Sequence, residues 1–81
     1  MNHYIKRSIG LILLNIDGHH SHEAERWIKN AIETDSHNGM LWHLGKDYAL
    51  YAELWLRKGD RLKTGEMLNK SINPTTLLMN N

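Results

Sequence analysis

Tyr48-Ala49-Leu50-Tyr51-Ala52-Glu53-Leu54-Trp55-Leu56-Arg57-Lys58-Gly59-Asp60 is the stretch on which the fold turns. On a helix beginning near Met40, at roughly 100° per residue, Leu41, Leu44, Tyr48, Tyr51, Ala52 and Trp55 share one broad face. His43, Lys46, Asp47, Glu53 and Arg57 fall opposite. Gly59 ends this helix, because glycine readily takes the left-handed conformation after a helix end, and Asp60 is a good N-cap for the next. Leu50 and Leu54 interrupt the polar side. Two readings stay open for them: an exposed apolar pair marking an interface, or contact with a neighbouring helix of the same fold.

Downstream, Leu62, Met67, Leu68 and Ile72 give the apolar stripe of a helix over about Arg61–Ile72. Gly65 inside it costs about 1 kcal/mol relative to alanine. Asn73-Pro74 closes it, and Thr75–Asn81 reads as a tail carrying Leu77, Leu78 and Met79. Upstream, Ser21 is placed to cap a helix with Ala24, Trp27, Ile28, Ala31 and Ile32 on one stripe. Trp27 is the expected core anchor of that helix. Asp35-Ser36-His37-Asn38-Gly39 has turn chemistry and is expected to end it. The first helix, about His3–Asp17, is apolar nearly all round between Ile9 and Leu14, which predicts cover on more than one side. Gly18 stops it.

The chain therefore repeats a plan of helix, glycine turn and shorter helix. Gly18 and Gly59 lie 41 residues apart, and Ala24 and Thr64 lie 40 apart. The Tyr48–Asp60 stretch resembles the first helix and Gly-Asp turn of a tetratricopeptide repeat (TPR), with Arg61–Ile72 as its second helix. Tyr48, Tyr51, Ala52 and Trp55 take the family's large, large, small and large positions. Thr64 and Ser71 stand where alanine is usual, and Pro74 comes slightly early. In the first unit Gly10 looks like the small residue of the first helix, and Glu23-Ala24-Glu25 with Ala31-Ile32 resembles the second. The offset exceeds the family's unit of about 34 residues, the extra length falling in the connector and the start of helix three. The chain is also similar to the longer, degenerate repeats of multidomain signalling ATPases and cyclases.

What the resemblance implies is an all-α fold of two antiparallel hairpins, about 3–35 and about 39–73, as a fragment of a right-handed superhelix over residues 1–74. It also implies binding of protein segments along the groove lined by first helices. Carried over by position, the partner-binding residues are Lys46, Ala49, Glu53, Leu56 and Arg57, with Tyr4 and Arg7 in the first unit. Each hairpin has an apolar face it cannot bury alone, so stacking on a neighbour or on another copy is expected.

Composition fits this reading. Eighty-one residues allow one domain, and 41% apolar with 23% charged residues suits a globular chain. A formal charge of +1 gives no electrostatic drive towards nucleic acid and little to hold copies apart. Lys6 and Arg7 before Ile9–Leu14 imitate a signal peptide, but the apolar run ends at Asn15 and Asp17 with no small-residue cleavage site. It also falls short of the roughly 20 residues of a spanning helix. Cytoplasm is the expected setting.

Candidate chemistry is sparse. His19, His20 and His22 cluster beside Glu23 with His37 in the other turn, yet no HExxH motif is present and a polar capping turn is the simpler reading. No cysteine, phosphate-binding glycine loop or paired-carboxylate pattern points to an enzyme. Arg57, Lys58, Arg61 and Lys63 form a basic turn, the basis of the alternative reading as a small helical nucleic-acid-associated regulator. The expectation is a non-catalytic protein-interaction module, needing no cofactor or metal, that binds protein or peptide and self-associates through Leu50 and Leu54. It is expected to bind no membrane.

Overall fold

The computed structural model describes residues 3–16 and 20–73, with side chains described for residues 6–15 and 20–73. Four helices follow in order: α1 (His3–Ile16), α2 (Ser21–His37), α3 (Leu41–Lys58) and α4 (Arg61–Ile72). The fold is all-α, with no strand among the described residues. α1 packs on α2 and α3 on α4 as two hairpins; α2 joins them by packing on α3, and α1 also touches α3. Gly18, His19 and the 75–81 tail lie outside the described residues.

The turn between α3 and α4 forms as its residues dictate. Gly59 has φ 82°, its N–H reaches the Leu56 carbonyl at 3.1 Å, and the Asp60 N–H reaches Trp55 at 3.0 Å. This satisfies carbonyls that a helix end leaves without partners. The Asp60 carboxylate then accepts from the Lys63 N–H at 3.0 Å, capping α4.

α1 and α2 meet closely at Gly10. A Cβ there would lie 2.9 Å from Ile28 Cγ1 and 3.5 Å from the Ala24 carbonyl oxygen. Below this crossing, Leu14, Ala24, Ile28 and Leu54 form the core, backed by Leu13, Ile32, Leu50, Tyr51 and Trp55. Glu25 ties α2 to α3 a second time, accepting from the Tyr51 hydroxyl at 2.7 Å and lying 3.8 Å from Lys58 Nζ.

Several expectations need correcting. α2 does not stop at Asp35; it runs on through His37, with Asp35 fully buried. Ser21 is its first residue rather than its cap, and His20 at the N-cap makes no side-chain capping bond. Trp27 is only half-buried, and Ala24, Ile28 and Ala31 take the deep positions. α1 is not covered all round: Leu11 and Ile12 are exposed. On α4 only Met67 of the expected stripe is buried, while Leu62 and Ile72 are 77% and 74% exposed. Thr64 and Ser71 turn half inward instead, their hydroxyls donating to the Asp60 and Leu68 carbonyls at 2.7 and 2.6 Å. These internal bonds make a polar residue tolerable in a packed position.

Candidate partner-binding groove

α3 sits inside the fold, with α1 and α2 on one flank and α4 on the other. Its remaining free side carries a line of residues spaced i, i+4, i+7, i+11, i+14: Trp42, Lys46, Ala49, Glu53 and Leu56. Residues at this spacing share one helical face. Beside it, α1 contributes Arg7, Ser8 and Leu11. Arg7, Ser8, Leu11, Lys46, Ala49, Leu50 and Glu53 together line a groove of about 410 Å³.

Four of the residues expected from the sequence to bind a partner thus line one groove: Arg7, Lys46, Ala49 and Glu53. Leu56 is exposed on the same line of α3. Tyr4 belongs to α1, but its side chain lies outside the described residues. Arg57 is exposed but occupied by the fold. Its Nη1 donates to the Leu14 carbonyl at 2.9 Å, its Nη2 to Asn15 at 2.8 Å, and its Nε to Glu53 at 3.1 Å. It straps α3 to the last turn of α1, where a helix leaves carbonyls unsatisfied.

Trp42, a large aromatic of the kind that usually fills a core, is 65% exposed at one end of the α3 line. Lys46 Nζ lies 4.5 Å from its ring centroid, and His43 meets it edge-on at 4.9 Å. Its position one turn before Lys46 was the available signal. The groove itself offers the Arg7 and Lys46 cations, the apolar Leu11, Ala49 and Leu50, and an internally paired carboxylate, Glu53, while Trp42 lies outside its lining on the same line of α3.

Leu50 and Leu54 are not an outer pair. Leu54 is fully buried against Leu14, Ala24 and Ile28, and Leu50 packs partly against the same cluster. The reason is topological: α3 buries a second flank against α1 and α2, so its apparently polar side is partly interior. Self-association through Leu54 is excluded by this packing.

Arg7 reaches inward from the groove. Its Nη1 lies 3.5 Å from Asp47 Oδ1 and 3.4 Å from both Nδ1 and the carbonyl oxygen of His43. Asp47 is fully buried, as is Asp35 of α2. Burial first, then the neighbouring carboxyl of Asp35, push the Asp47 carboxyl up to about 8 against the lowering pull of Arg7. The sequence reading placed Asp35 in a turn and Asp47 on a polar face. Extending the Ala24-Ile28-Ala31 stripe by one step would have put Asp35 on it.

The basic turn is largely engaged. Besides the Arg57 strap, Lys58 and Lys63 lie over the Trp55 ring at 4.9 and 4.6 Å. His20 Nδ1 lies 3.9 Å from Glu23, and His22 is exposed. Among the described residues no three metal-ligating side chains converge, and no helix is long and apolar enough to cross a membrane. Comparison of the chain with protein-family models, curated proteins and solved structures gives no match.

Proposed function

We propose that this chain is a non-catalytic, TPR-like protein-interaction module whose α1–α3 groove receives an extended segment of a partner protein. The observation that carries this reading is the meeting of Arg7, Ser8 and Leu11 with Lys46, Ala49, Leu50 and Glu53 along one groove built from the first helix of each hairpin. Mixed apolar and charged lining suits a peptide, whose side chains seek small apolar seats while its backbone and ends seek polar partners. Gly10 at the α1–α2 crossing and the Gly59-Asp60 turn support the repeat reading locally. No cofactor or metal belongs to this role. A cytoplasmic setting goes with it.

Self-association, the accompanying expectation, moves to the outer side of α4. Leu62, Leu68 and Ile72 are exposed there, and α4 has α3 as its main neighbour. That is the place where a further hairpin or another copy would stack in a repeat array.

The test is selection from a random peptide display library on the folded chain, followed by amide chemical-shift mapping with a recovered peptide. Shifts concentrated at Ser8, Leu11, Lys46, Ala49 and Glu53 support the reading. Shifts confined to α2 and α4 refute it. Binding of single-stranded DNA with a steep negative salt slope would favour the nucleic-acid alternative, because phosphate contacts release counterions.

A further inference from the structure

We propose that the cleft between α2 and α4, floored by α3, is a second binding site that takes a small carboxylate carried on a compact apolar or single-ring body. The inference does not depend on the α1–α3 groove. Tyr48 and Tyr51 project from α3 on the side away from Lys46, Ala49 and Glu53, since each residue turns the helix by roughly 100°.

α2 and α4 each pack on α3 and leave between them a cleft of about 280 Å³. Ile32, Tyr48, Tyr51 and Met67 give it an apolar bed. Met67 is buried and the other three are half-buried, so the fold holds this bed in place before any ligand arrives. An apolar cavity of about 150 Å³ accepts benzene, and ordinary ligand clefts run from roughly 300 Å³ upward. The space between α2 and α4 therefore suits one ring with a short arm.

The rim is cationic. Lys29 from α2 and Lys70 from α4 line it with a single acid, Glu33. Lys29 and Glu33 are exposed and make no hydrogen bond or ion pair among the described residues. Lys70 holds its Nζ 5.7 Å from the centroid of the Tyr48 ring. Ser36 and Tyr48 add two hydroxyls whose protons go to no partner among the described residues. Burial, then the charge of Asp47, raises the Tyr48 hydroxyl above its ordinary pKa, so it stays a donor. The Tyr51 hydroxyl is already given to Glu25 at 2.7 Å, and that residue offers only its ring.

This combination selects the ligand. Two ammonium groups against one carboxylate leave a positive rim, which favours one negative charge on the ligand. The bed rewards an apolar body by removing it from water, so a bare inorganic anion gains nothing there. A carboxylate on a compact apolar body meets both demands and is ionised at neutral pH.

The probes are hydrocinnamate, its uncharged amide and inorganic phosphate, each titrated into the full chain at low ionic strength with amide chemical shifts as the readout. The expected result is saturating shifts at Ile32, Ser36, Met67 and Lys70 with hydrocinnamate, and clearly weaker binding of the other two. Lys29→Gln with Lys70→Gln should weaken hydrocinnamate by about fivefold, and Glu33→Gln should tighten it by about twofold, as exposed charge pairs do. Should the double lysine variant not fold, Glu33→Gln decides alone: tightening supports the site, and unchanged affinity overturns it. Shifts that never saturate, or that fall at Lys46 and Ala49 instead, overturn the proposal. So does equal binding of the amide or of phosphate, or a folded lysine variant that binds as well as wild type.

Discussion

Two glycine-to-alanine changes on helices of this chain should differ in stability, one gaining and the other not. Alanine gains roughly 1 kcal/mol over glycine in a helix interior, wherever the added methyl has room. At Gly65 a Cβ meets nothing within 4 Å, so Gly65→Ala should stabilise by about that amount. In a domain of this size that raises the Tm by roughly 4–8 °C. At Gly10 the same methyl would sit 2.9 Å from Ile28 Cγ1. Ile28 has no exposed surface, and a β-branched side chain has little rotamer freedom with which to yield. Overpacking of this kind costs roughly 1–3 kcal/mol. After the propensity gain, Gly10→Ala should be neutral to about 2 kcal/mol destabilising. The gap between the two variants, roughly 1–3 kcal/mol, is the contact term freed of propensity. Urea midpoints on both proteins read it directly. If Gly10→Ala stabilises as much as Gly65→Ala, α1 does not cross α2 at Ile28 and the first hairpin is packed otherwise.

Leu54→Ala should cost about 2–5 kcal/mol, as for other large buried aliphatics, and a chemical melt showing under 1 kcal/mol would return Leu54 to the surface. Asp60→Ala removes the bond to the Lys63 N–H and should cost roughly 1 kcal/mol by the same melt, with an unchanged midpoint counting against the cap. Leu62→Glu with Ile72→Glu should leave helicity intact by circular dichroism and yield a monomer by light scattering. A wild-type mass that is already monomeric at high concentration removes self-association through α4.

The helices were legible because local signals agree: the stripe of α2, the long amphipathic run of α3, and Gly59-Asp60, whose two residues satisfy the ends of two helices. The groove was legible in part through the family resemblance, which pointed to Lys46, Ala49, Glu53 and Leu56, residues that helical register also puts on one line. Periodicity reports that a residue shares a face with others, not what lies opposite. Asp47 was assigned to the polar face and Leu54 left open between an interface and an internal contact, because nothing local says that α3 has helices on two flanks. Leu62, Leu68 and Ile72 were assigned inward because an apolar stripe looks the same whether or not a neighbour covers it. Asp35 hid behind its own chemistry: aspartate beside serine, asparagine and glycine reads as a turn, and only a second buried carboxyl across the helix pair reveals its other environment. Trp27 was drawn inward by its place on the α2 stripe, where Ala24, Ile28 and Ala31 take the deep positions instead.

The central claim is that the α1–α3 groove is where a protein partner lies, and Ala49 is the residue that tests it most directly. Ala49 lines the groove, is exposed and stands apart from the core, so Ala49→Arg fills the groove without disturbing the fold. The measurement is the Kd of wild type and Ala49→Arg for a peptide selected on wild type, beside thermal melts of both. The account predicts unchanged melts with at least a tenfold loss of affinity, about 1.4 kcal/mol of binding free energy. Equal affinity of both proteins for every selected peptide would contradict it.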